Sequence, residues 1–124
     1  PKSRIKKDTW IVNIYAIKRG TKYPNRYVIM SGDIDSRISD PLDGKGDSPG
    51  ANDNATGMAG ALELARVLSK YDFPTSILLA GLSGEEQGLY GGKFLAEKAK
   101  IEGWKIAGIL NNDMIGNKIG RAHV

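Results

Sequence analysis

Apolar residues fall along this chain in short unbroken runs, set apart by polar stretches that carry a different rhythm. Tyr27 to Ser31 ("YVIMS"), Ser76 to Leu82 ("SILLAGL") and Lys105 to Asn111 ("KIAGILN") do not alternate with polar positions. Runs of that length predict three strands buried on both faces of a sheet. Trp10 to Ile17 ("WIVNIYAI") is rich in β-branched and aromatic residues and predicts a further strand, followed by a polar turn or hairpin over Lys18 to Asn25. Between these runs the period lengthens. Met58, Ala61, Leu62, Ala65 and Leu68 recur at helical spacing within Asn54 to Lys70, with Asp53 or Asn54 at the N-cap and Phe73-Pro74 closing the element. A second helix is predicted from about Leu89 to Lys100, turning Tyr90, Phe94 and Ala99 inward and ending before Gly103. The loop from Gly32 to Asn52, crowded with Asp, Gly, Ser and Pro, is long for a small domain, as functional loops are.

Strand, helix, strand, helix, strand in that order predicts right-handed crossovers and a mostly parallel sheet, with the first strand as an antiparallel edge. The expected fold is therefore α/β: a three-layer sandwich with helices on both faces, forming one domain over residues 1–124. No internal repeat, low-complexity segment or second domain is visible.

Composition narrows the chemistry. The 124 residues are 40% hydrophobic and 26% charged, which is ordinary for one globular domain. The net charge of +4 is spread out apart from "PKSRIKK" at the start, so it reads as a solvated tail and surface lysines, with no nucleic-acid site. The absence of cysteine excludes a disulfide framework and cysteine-ligated metals. No apolar run reaches the ~20 residues of a membrane span, and no signal peptide is seen. The chain starts with Pro1 and not Met, as if something had been removed. Oligomeric state is not legible.

The acids give the strongest signal. Asp33 and Asp35 follow the first buried strand, Glu85 and Glu86 the second, Asp113 the third, and Asp53 opens the first helix. In open α/β sheets these positions share one rim, where ligands bind. Any one of them is adequately explained as a turn former or a helix N-terminal charge. Six together would repel one another, and the adjacent sequence offers Arg37 and little else in compensation. One divalent metal, or two bridged by a carboxylate, would resolve the conflict; zinc, manganese, magnesium and calcium all suit carboxylate oxygens. In the Glu85-Glu86 doublet one carboxylate could bind metal while the other faces a water as general base, equipment suited to hydrolysis. Gly84, Gly88, Gly91 and Gly92 lack the Lys-Ser/Thr ending of a phosphate loop, and a single histidine at the tail, His123, supports no Ser-His-Asp arrangement. Met30, Met58 and Met114 read as core fillers.

Four motifs in order, "SGDIDSR", "PGANDNATG", "SGEEQGLYGG" and "NNDMIGN", resemble those of the two-zinc aminopeptidases of the bacterial leucyl-aminopeptidase type, whose relatives include glutamate carboxypeptidases and glutaminyl cyclases. The resemblance covers about Tyr27 to Asn117. It implies a phosphorylase/hydrolase-like zinc exopeptidase fold, a peptide substrate, two zinc ions and a secreted or periplasmic setting. It also implies that Asp53 bridges the metals, Glu86 and Asp113 each bind one, Glu85 is the general base for a metal-bridging water, and Asp35 orients the first ligand from behind. Two departures stand out. Asp33 occupies a position where the family usually has histidine, which would make the site all-carboxylate, tolerant of manganese, or catalytically impaired and kept as a binding or scaffold domain; glutaminyl cyclase-like chemistry on the same scaffold is the other alternative the resemblance implies. His123 does not match the family's last metal-binding histidine. The family's catalytic domain is about twice as long, so the chain corresponds to its N-terminal part.

Overall fold

The computed structural model describes residues 4–117. Six elements follow in order: β1 (Ile14–Lys18), β2 (Tyr23–Asp33), α1 (Ala55–Leu68), β3 (Thr75–Leu82), α2 (Tyr90–Ile101) and β4 (Lys105–Asn111). The strands make one sheet in the order β1-β3-β2-β4. β2 runs parallel to β3 and β4, while β1 is the antiparallel edge beside β3. The mostly parallel α/β sheet expected from the hydrophobic runs is therefore present.

The helices cover opposite faces, and side-chain alternation along the strands explains it. Tyr27 and Ile29 of β2, Leu78 and Ala80 of β3 and Leu95 of α2 form one buried cluster, with Trp104 stacked on Tyr27 at 4.8 Å. Neighbouring strand residues point to the other face. There Gly32 meets the backbone of Gly57, and Gly81 meets Met58, both on α1. A Cβ on Gly32 would lie 2.8 Å from the Gly57 carbonyl carbon, so only glycine lets α1 seat this close to the sheet.

Several local expectations are corrected. β1 starts at Ile14 and not Trp10, because Ile14 already pairs with Gly81 near the end of β3 and earlier residues have no partner strand. Trp10 is 93% exposed. β2 begins at Tyr23, taking in part of the predicted turn, and it forms no hairpin with β1 because β3 lies between them. Tyr90 and Phe94 face outward; the inward stripe of α2 is Gly91, Leu95 and Ala99. Leu62 of α1 is also exposed. β4 is exposed along its whole length, and among the described residues it pairs with β2 alone. No helix among the described residues is long and apolar enough to cross a membrane. His123 lies outside the described residues.

Candidate functional site

Because β2, β3 and β4 are parallel, their carboxyl ends deliver the following residues to one edge. Asp53, Glu85, Glu86 and Asp113 line a single open cleft of about 710 Å³ there, together with Arg4, Arg37 and Lys93. Arg4, in the basic N-terminal stretch, is exposed and lies at this cleft, where its guanidinium Nη1 donates to the Glu86 carbonyl at 2.9 Å.

Asp33, the last residue of β2, does not line that cleft. It is buried behind it, where Asn54 donates to its Oδ2 at 3.3 Å. Burial pushes the Asp33 carboxyl above its usual range; the negative charges of Asp113 and Asp35 add to the rise, and hydrogen bonds from Asn54 and Asn111 oppose it. Asn54 is the N-cap of α1 and does much more than cap. Its Oδ1 accepts from Gly57 N at 3.1 Å and Met114 N at 3.2 Å, while its Nδ2 also donates to the Asn112 carbonyl at 2.9 Å. One buried amide thus ties the ends of β2 and β4 to the start of α1 with both its atoms doubly bonded. The Asp53–Asn54 peptide bond is cis.

Asp35 shapes the other side. Its Oδ1 accepts from Glu85 N and its Oδ2 from Glu86 N, both at 3.1 Å, so it fixes the turn that presents the doublet and makes no hydrogen bond to Asp33. Gly84 and Gly88, at φ +72 and +138, give that turn its left-handed bends. The Glu85 carboxyl is pushed up by burial first and then by the charges of Glu86, Asp33, Asp35 and Asp113. Glu86 is buried and its Oε2 accepts a short hydrogen bond from Arg37 Nε, forming an ion pair. A carboxyl held up by burial and then by its neighbours, and a second one oriented in a cleft, suit general acid/base chemistry beside a ligand site.

Their places after the predicted strands and at the start of the first helix singled out these acids, but not the hydrogen bonds of Asn54 and Arg4. The signal for Asn54 was its N-cap position; its partners are too distant in sequence for a local pattern to reveal.

A family model described as Peptidase family M28 matches residues 13–122. The chain belongs to peptidase family M28. Similar curated relatives include proteins of Pyrenophora teres f. teres (strain 0-1) and Pyrenophora tritici-repentis (strain Pt-1C-BFP), each named "Probable zinc metalloprotease". Each is 45% identical over 118 residues, which is 95% of this chain and 24% of that protein. A Leptosphaeria maculans protein with a similar name is also 45% identical over 118 residues, 27% of its own length. The chain spans about a quarter of the length of these relatives.

Among the described residues, no three acids or histidines stand in the spacing of a formed metal centre. The donor set nevertheless fits a divalent cation by its chemistry. Asp53, Glu86 and Asp113 offer hard oxygens to one cleft, and a cation there would relieve the repulsion that helps raise the carboxyls of Asp33 and Glu85.

Proposed function

We propose that the chain forms part of the catalytic domain of a zinc-dependent exopeptidase that removes N-terminal residues from peptides. The observation that carries this reading is that four carboxylates from three separate segments line one cleft at the carboxyl ends of parallel strands. Membership of M28 and the zinc metalloprotease names of its relatives agree with it. Asp53, Glu86 and Asp113 would hold the metal. A bound zinc ion lowers the pKa of water and polarises a carbonyl. Glu85, with its raised carboxyl, accepts the proton of the attacking water and passes it to the leaving amine. Asp35 keeps both glutamates aimed by holding their backbone N–H groups. The β4 edge, which pairs with no further strand among the described residues and leaves Ile106, Ile109 and Leu110 exposed, supports placing this chain within a larger domain.

The test is hydrolysis of unblocked and N-acetylated peptides by the full-length protein with zinc. The unblocked peptide is expected to be cleaved from its N-terminus, and Glu85→Gln to slow that reaction about 10²- to 10⁴-fold without loss of fold. Equal cleavage of the blocked peptide would remove the exopeptidase reading, and no cleavage at all would remove the enzyme reading.

A second reading, a peptidase-like domain without catalysis, draws on Asp33, which is bonded to Asn54 and set behind the cleft. Asp33→His separates the two. An active carboxylate site should change its metal content or preference on this substitution, whereas a dead site starts with no metal.

A further inference from the structure

We infer that Arg37 is a positioning residue for Glu86, holding one carboxylate oxygen so that the other is presented to the cleft as a ready cation ligand. The inference rests on the metallopeptidase reading and goes beyond it.

Glu86 is fixed at three points. Asp35 Oδ2 accepts its N–H at 3.1 Å, Arg4 Nη1 donates to its carbonyl at 2.9 Å, and Arg37 Nε donates to its Oε2. No described residue hydrogen-bonds its Oε1, although Glu86 lines the cleft beside Asp53 and Asp113. Arg37 is itself anchored, since its Nη1 donates to the Ile38 carbonyl at 3.1 Å. A cation plugging the site would set its terminal amines between the carboxylates. Here Arg37 engages one oxygen through Nε and turns Nη1 to the backbone, which leaves the second oxygen's lone pairs available. Removing freedom from a ligand before the metal arrives is what partners of metal ligands do, and losing one typically costs 10- to 100-fold in metal affinity. Lysine would keep the charge but not the flat guanidinium that fixes direction.

The test is a zinc competition titration and the visible spectrum of the cobalt(II)-loaded full-length protein, comparing wild type, Arg37→Gln and Arg37→Lys, with circular dichroism to confirm folding. The expected result is zinc affinity weakened about 10- to 100-fold in Arg37→Gln, partial recovery in Arg37→Lys, and shifted cobalt bands in both. Wild type that binds zinc alongside an Arg37→Gln variant binding equally or more tightly overturns the inference alone. Wild type that takes up no zinc overturns the metallopeptidase reading and the inference with it.

Discussion

Asp33 and Glu86 are buried to nearly the same degree, 6% and 8% exposed, yet the fold treats them oppositely. Asp33 has an amide for a partner, and its carboxyl is driven up by burial and by neighbouring acids. Glu86 has a guanidinium and opens onto the cleft. The amide that meets Asp33 ties it to the junction of β2, α1 and β4. An acid met by a cation on one oxygen, with three more acids around the same cleft, belongs to a site that calls for further positive charge.

The comparison breaks most severely at Asn54. Asn54→Leu strips partners from Gly57 N–H, Met114 N–H, the Asn112 carbonyl and Asp33 together, and should cost roughly 3 kcal/mol or more, read as a lower midpoint in urea unfolding. Next is Gly57→Ala, whose Cβ would run into the Asn112 carbonyl and the Asn54 side chain. A loss of about 2 kcal/mol is expected from that overpacking, in the same measurement.

pH sharpens the contrast. Asp33 holds its proton more tightly folded than unfolded, where its ordinary value is 3.8. Its contribution to stability is therefore complete at low pH and is lost as pH rises through its raised folded value. The Glu85 contribution runs the same way from 4.5. In metal-free protein, thermal unfolding followed across pH should show Asp33→Asn falling less steeply than wild type within that window, between 3.8 and the raised folded value. A steeper fall would show that Asp33 is stabilised as a carboxylate. The smallest effect belongs to charge pairs away from this edge: Glu63→Ala, which removes an exposed partner of Arg66, should leave the melting temperature unchanged within error.

Much of this was legible in the sequence. Continuous apolar runs gave β2, β3 and β4, helical spacing gave α1, and parallel order then forced the acids to one edge. What escaped depends on neighbours that periodicity does not count. The inward stripe of α2 includes Gly91, which carries no hydrophobic signal, so the spacing of apolar residues points to Tyr90 and Phe94 in its stead. β4 has the composition of a central strand but, among the described residues, pairs on one side. Asn54 works through partners 21 and 60 residues away, at Asp33 and Met114, and no local pattern encodes those bonds.

The central claim, that the acid cleft is a cation site, is tested most directly by an anomalous difference map at the zinc edge from crystals of the full-length protein grown with zinc. The expected result is a peak bounded by the carboxylates of Asp53, Glu86 and Asp113. A map with no peak within bonding reach of those three groups, whether or not zinc sits elsewhere, would contradict it.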